Sequence, residues 1–292
     1  MDILEKAPAK INLCLDTPFR HLDGSPEWRM VMTSIDLADY VHIEASNALN
    51  GISVETDTGF LPSDQRNLAY KAAKELQRLY SITEGVRISI KKNIPVAAGL
   101  GGGSSDAAAV LRGLNQIWNL KLSLRELAKI GLRIDSDVPF CVYSKTALVE
   151  GKGEVITPLN DLPPLWLVVA KPRASVSTPS ILKRISYERI EHPKVDKVVA
   201  GIKNGSLTEI CRWMGNALEP ITISEIQEIA RIKKKMYEFG VQAAQMSGSG
   251  PTVFGICAKY SRAQHVYNSL KGFCNEVYIV HPCILERTFE HK

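Results

Sequence analysis

Hydrophobic positions change period several times along the chain. Lys10 to Leu15 is a short apolar run. Tyr40 to Ala45 alternates, with Val41, Ile43 and Ala45 on one face. A period of two is that of a half-buried strand. Between the two, Asp23-Gly24 is a turn signal. The period then lengthens: Leu68, Ala72, Leu76 and Leu79 share one face of a helix that Asp64 can cap and that runs to about Tyr80. Val86, Ile88 and Ile90 return to alternation. A glycine-serine run follows, and from Ala107 an Ala-rich helix carries Leu111, Leu114 and Ile117 in phase. Ser123-Leu124-Arg125-Glu126 is a capping box that opens a further helix, with Asp137-Val138-Pro139-Phe140 beyond its end.

Proline density rises between Pro158 and Pro164, which marks a boundary. Beyond it Leu165 to Ala170 reads as a strand, and a helical region begins near Ser177. Ser224-Glu225-Ile226-Gln227 has the form of a second capping box, and Gly240 stops the helix it would open. Val241–Met246 and Thr252–Ala258 read as strands around a Ser-Gly-Ser-Gly-Pro turn. A helix and a strand, Glu276–Val280, complete the half. The pattern predicts an α+β protein of two domains, residues 1–160 and 161–292.

Composition narrows the function classes. With 292 residues, 45% of them hydrophobic, the chain can bury a large core without disulfides or a structural metal. The net charge of +5 comes from scattered residues; the one basic cluster, Lys233-Lys234-Lys235, reads as a solvated helix face, so no nucleic-acid partner is expected. Six cysteines without CxxC or Cys/His spacing read as free thiols in a reducing cytosol. The start of the chain lacks the pattern of a signal peptide, and the apolar stretch Leu162–Ala170 is too short to span a bilayer. A cytoplasmic protein with no membrane partner is expected, as monomer or homodimer.

The sharpest chemical feature is Pro95-Val96-Ala97-Ala98-Gly99-Leu100-Gly101-Gly102-Gly103-Ser104-Ser105-Asp106, which joins a strand to a helix. Four glycines in five positions are costly unless the backbone takes φ > 0 or approaches a ligand. The following helix start offers free N–H groups and a positive dipole end, and together these favour an anion. The run is neither a P-loop nor a dinucleotide fingerprint. Taken alone it marks a phosphate site without naming the ligand. Lys10 can neutralise a phosphate or perturb a neighbouring pKa, or it is an edge-strand lysine reaching solvent. Asp137 can act as a general base or as a turn or capping aspartate. Met246–Thr252 is a hairpin turn or a backbone surface that closes on a substrate.

Three motifs resemble those of the GHMP kinases, the galactokinase, homoserine kinase, mevalonate kinase and phosphomevalonate kinase superfamily. They are Pro-Ala-Lys-Ile-Asn at 8–12, Pro-Val-Ala-Ala-Gly-Leu-Gly-Gly-Gly-Ser-Ser-Asp-Ala-Ala at 95–108 and Ser-Gly-Ser-Gly-Pro-Thr at 247–252. The resemblance runs nearly end to end. It implies a two-domain GHMP kinase fold: an N-terminal half like ribosomal protein S5 domain 2, and a ferredoxin-like C-terminal half with ATP and Mg²⁺ in the cleft between. It also implies roles for residues. Asn67, Leu68, Lys92 and Pro95 to Ser105 would bind the nucleotide. Lys10 and Asp137 would be the catalytic pair, and Ser105 a metal contact. Asn12, Thr178, Ser247, Gly248, Ser249 and Gly250 would meet the small-molecule substrate. The best-matching branch of the superfamily phosphorylates the 2-hydroxyl of 4-diphosphocytidyl-2-C-methyl-D-erythritol in the non-mevalonate isoprenoid pathway.

The chain departs from that branch at the cytidine pocket. Ser25 and Pro26 stand where it has Tyr and His, and Leu182 aligns with a further aromatic. Ser and Leu cannot stack a base, and Pro26 has no side-chain donor or acceptor. Trp28, two positions on, is a candidate substitute platform or a packed surface residue. Asp135 stands where the branch prefers Gly, which adds a carboxylate near Asp137 and predicts strain if φ > 0 is needed there. Two other readings follow: a GHMP-type kinase for a different alcohol, or a non-catalytic nucleotide-binding homologue.

Overall fold

A computed structural model describes residues 1–283. The first sheet is built on two long strands, β1 (Asp2–Asp16) and β2 (Trp28–Ser46), which pair antiparallel along most of their length. β3 (Ile52–Thr56) follows, then α1 (Leu68–Tyr80) and β4 (Gly85–Lys91), which pairs with both β2 and β3. Next come α2 (Gly102–Ile117), α3 (Leu124–Leu132), α4 (Val138–Tyr143), β5 (Ala147–Gly151) and β6 (Val155–Pro158). β5 pairs with the start of β2, the end that β4 leaves free.

β7 (Trp166–Lys171) begins a second sheet. The helices α5 (Thr178–Lys183), α6 (Val195–Lys203) and α7 (Leu207–Trp213) follow it. β8 (Gly215–Asn216) then returns to the first sheet and pairs parallel with β1 at Cys14 and Leu15. After α8 (Glu219–Glu225) and α9 (Gln227–Glu238), the hairpin β9 (Ala243–Met246) and β10 (Val253–Cys257), helix α10 (Tyr260–Lys271) and β11 (Glu276–Val280) complete the second sheet. Its order is β11-β7-β10-β9, antiparallel throughout, with α9 and α10 packed on it. That strand order is the one a ferredoxin-like second half, expected from the resemblance, would have.

α2 positions the site. It is buried over Ser104–Leu114, between β1 and β2 on one side and α1 and α4 on others. A helix enclosed all round needs small residues, and Ala107, Ala108 and Ala109 let its neighbours approach. It begins at Gly102, five residues before the Ala-rich run. Gly101 takes φ 67° as N-cap, and the glycines themselves form the first turn.

Other expectations change with local chemistry. Asn67, not Asp64, caps α1: its side chain accepts from Ala69 N–H, while Asp64 is taken up by Arg66. The capping box at Ser123–Glu126 forms with both hydrogen bonds. The one at Ser224 does not, because Pro220 starts α8 early and leaves Ser224 in its last turn, bonded back to the Ile221 carbonyl. Asp135 is not among the left-handed residues, so the strain expected there is absent. All six cysteines are free thiols. Among the described residues, no helix is long and apolar enough to cross a membrane.

Candidate active site

The three sequence motifs meet in space. The cleft they surround encloses about 430 Å³. β1 supplies Lys10 and Asn12, and the segment before α2 supplies the glycine loop. The β9–β10 turn closes on that loop: Ser247 Oγ donates to the Gly99 carbonyl at 3.0 Å. A Cβ on Gly99, which has φ +74°, would come within 2.4 Å of the Ser247 carbonyl oxygen, so the approach of these two backbones requires glycine there.

Lys10 and Asp137 come together from strand and helix. Lys10 Nζ lies 3.2 Å from Asp137 Oδ2 and donates to Asn12 Oδ1 at 2.9 Å. Lys10 is buried by the stacking of its stem on Gly101, where a Cβ would lie 2.9 Å from Lys10 Cγ. Asp137 is the N-cap residue of α4, yet its carboxylate caps nothing. The carboxylate is thereby left free to pair with Lys10 and face the cleft. Asp135 supports this geometry. Its Oδ1 accepts from Ser104 Oγ at 2.8 Å and from the Asp137 N–H at 3.1 Å.

Lys92 also lines the cleft, but its charge is absorbed by protein. Its Nζ sits 2.5 Å from Asp39 Oδ2 and 2.7 Å from Asp106 Oδ2. Burial opposes the charge on Lys92, yet the two carboxylates hold its pKa above the ordinary lysine value. Asp39 is fully buried and also accepts the N–H groups of Asn93 and Ile94, which fixes the chain entering the glycine loop. Burial pushes the Asp106 carboxyl up to about 8, with Lys92 opposing and Asp39 reinforcing the shift. Asp106 Oδ1 has no hydrogen-bond partner among the described residues.

Of the residues singled out from sequence, Lys10, Asn12, Asn67, Leu68, Lys92, Pro95 through Ser104, Asp137, Thr178, Gly248 and Ser249 line one cleft. Ser105 does not. It is fully buried and donates its hydroxyl to the Pro8 carbonyl at 2.8 Å. Ser247 and Gly250 stand behind the lining and shape the turn. Ser25 and Pro26 lie outside the cleft, with Ser25 Oγ donated to Asp23. Leu182 is also outside it, but Trp28 lines it. Sequence reasoning missed Asp39, whose only signal is a carboxylate in an apolar strand, and Asn216. The latter's Nδ2 donates to the Met246 and Gly248 carbonyls at 2.8 Å and ties the second-half turn to β1 through β8.

A glycine loop on a buried helix, a strand lysine and an unspent carboxylate, in this order and on these two sheets, define a class. The chain belongs to the GHMP kinases, a family of small-molecule kinases. Residues 67–145 match the GHMP kinases N terminal domain and residues 198–276 the GHMP kinases C terminal domain. More particularly, it is 65% identical to the 4-diphosphocytidyl-2-C-methyl-D-erythritol kinase of Ligilactobacillus salivarius, over 96% of this chain and 97% of that one. It is 62% identical to the protein of the same name from Levilactobacillus brevis, over 97% and 99%. A crystal structure of 4-(cytidine 5'-diphospho)-2C-methyl-D-erythritol kinase is similar at TM-score 0.79 and 30% identity, covering 96% of this chain and 98% of that one.

Proposed function

We propose that the protein transfers the γ-phosphoryl group of ATP to the 2-hydroxyl of 4-diphosphocytidyl-2-C-methyl-D-erythritol. One observation carries the chemistry: the Lys10–Asp137 pair at 3.2 Å, set against Gly101 of the glycine loop. Asp137 accepts the hydroxyl proton as the oxygen attacks the γ-phosphorus and ADP leaves. Lys10 pairs with Asp137 and opposes the charge that develops on the transferring group. The N–H groups at the start of α2 receive the phosphates. Asn67 and Leu68 stand on the nucleotide side, and Asn12, Thr178, Gly248 and Ser249 on the acceptor side. Hard oxygen donors that fit Mg²⁺ are present in the Asp135 carboxylate and the Ser104 hydroxyl. The ion, when bound with ATP, neutralises charge on the β- and γ-phosphates. We read the chain as two domains, 1–160 and 161–292, in the cytoplasm.

A second reading, a GHMP-type kinase for another alcohol, is favoured by the absence of Ser25, Pro26 and Leu182 from the cleft wall. The intact Lys10–Asp137 pair argues against a non-catalytic homologue. Phosphoryl transfer from ATP to the cytidyl substrate, wild type beside Asp137→Asn, tests the assignment. Turnover abolished by the substitution is expected. No turnover by the wild type, with ATP still bound, would move the assignment to the second reading.

A further inference from the structure

The segment Arg133 to Asp137 connects α3 to α4 and presents the base to the cleft. The Asp137 carbonyl accepts from the Cys141 N–H at 3.1 Å, which begins α4. Its own N–H donates to Asp135 Oδ1 at 3.1 Å and has no other acceptor among the described residues. At the other edge of that peptide, the Ser136 carbonyl oxygen lies against Gly153, where a Cβ would come within 2.4 Å. A peptide unit is flat, with its C=O and N–H on opposite edges. Held at the N–H and hemmed in at the carbonyl, the unit between Ser136 and Asp137 keeps one orientation. That orientation sets the direction in which the Asp137 side chain leaves the backbone.

The same oxygen reaches the phosphate loop. Asp135 Oδ1 also accepts from Ser104 Oγ at 2.8 Å. Ser104 is buried in the first turn of α2, directly after Gly102 and Gly103. A hydroxyl has one proton to donate, and this one is spent on Asp135. A single carboxylate oxygen thus collects a donor from the loop helix and a donor from the backbone of the base. Neither donor has a second acceptor among the described residues. An alanine at 135 would leave both unbonded, since it has no side-chain acceptor.

We propose that Asp135 is a positioning residue: it ties Asp137 to the first turn of α2, so that the base is aimed only while the phosphate loop holds Ser104. This rests on the reaction assigned above. Asp135 acts through the peptide of Asp137 and not on the acceptor. What the tie requires is an acceptor oxygen at this position. A formal charge is not needed for it, since an asparagine Oδ1 can take both bonds. The three residues then behave as one unit, whose parts do not contribute independently.

Steady-state kinetics with ATP and the cytidyl acceptor test this in wild type, Asp135→Ala, Asp135→Asn, Ser104→Ala and the Ser104→Ala/Asp135→Ala double variant. Asp135→Ala is expected to lower kcat roughly 10- to 100-fold with both KM values held within about threefold, as a misaimed reacting group does. Asp135→Asn should recover most of that loss. In a Ser104→Ala background, Asp135→Ala should cost less than about threefold further, because the tie is already cut. A full loss in that background overturns the coupling. An asparagine variant as slow as the alanine variant overturns the tie in favour of charge. Amide hydrogen exchange with ADP bound and no acceptor gives the second readout. The Asp137 N–H should lose protection in Asp135→Ala and in Ser104→Ala, while the Cys141 N–H, inside α4, keeps it. Unchanged Asp137 exchange, or equal loss at Cys141 from a helix that has merely loosened, overturns the proposal. If wild type does not turn over the cytidyl acceptor, the reaction assignment fails and exchange alone decides the tie.

Discussion

Two lysines flank the same glycine loop in opposite electrostatic settings. Lys92 meets two carboxylates, one fully buried and the other nearly so, and both are held by protein. Lys10 meets one carboxylate, Asp137, whose side chain is 26% exposed to the cleft, and one neutral amide. A charge that is already matched inside the fold contributes shape. A charge matched only in part keeps capacity for a ligand. By this difference the Lys92 cluster holds the loop in place, and the Lys10 pair is available for phosphoryl transfer.

The sharpest way to break the contrast is to remove one carboxylate from each lysine. Asp137→Asn should lower kcat by about 10²- to 10⁴-fold, the usual contribution of a positioned base. Stability should suffer less, since Lys10 keeps Asn12 as a partner. Asp39→Ala should act the other way. It leaves Lys92 with Asp106 alone and strands the N–H groups of Asn93 and Ile94, which Asp39 accepts in the wild type. Loss of one partner from a buried pair costs about 3–5 kcal/mol, to be read by denaturant unfolding. If Asp39→Ala unfolded like the wild type and lost only turnover, the roles assigned to the two lysines would have to be exchanged.

The two settings were unequally legible in the sequence. Glycine spacing and the Lys10 and Asp137 motifs mark the loop and the reacting pair, because function there constrains consecutive residues. The alternating periods of β4 and of the second half of β2 reflect a sheet with one buried face there, while β1, buried on both faces from Ala7 on, reads as an apolar run. Asp39 and Asp106 were not legible as partners of Lys92. They come from a strand and a helix distant in the chain, and ion pairing leaves no periodic trace. The short strands β5, β6 and β8 were missed for a related reason: β8 is two residues long and is defined by its pairing with Cys14 and Leu15 rather than by its own pattern. Ser105 lies outside the cleft lining. Its neighbour Ser104 faces the cleft, and one step along a helix turns a side chain by about 100°, so the motif alone could not say which hydroxyl is presented.

Gly101 joins the two regions, since its Cα sits against the Lys10 stem while the next residue meets Lys92. A methyl group at 101 would have to take φ 67° and would press on Lys10 Cγ. Gly101→Ala should therefore displace the catalytic ammonium and lower kcat roughly 10- to 100-fold, as a small misplacement of a reacting group does. The Lys92 cluster should be spared, so unfolding should show only the backbone strain of about 1–3 kcal/mol. A larger stability loss would mean that the loop, not Lys92, carries the local fold.

A separate effect concerns the proton on Asp106. Its carboxyl is raised from the ordinary 3.8 to about 8 by burial. Between those values the folded chain holds a proton that the unfolded chain has released, so this group's contribution to stability is full below about pH 4 and is lost as pH rises through about 8. Asp106→Asn removes the titration while keeping the shape. The melting temperature of wild type relative to Asp106→Asn should fall between pH 5 and pH 8, by a few degrees for roughly each kcal/mol lost. A flat difference would mean that both carboxylates stay ionised against one ammonium. The Lys92 cluster would then carry a net negative charge beside the phosphate loop. It would no longer be the self-contained partner of the comparison, and a cation would have to enter with the nucleotide to balance it.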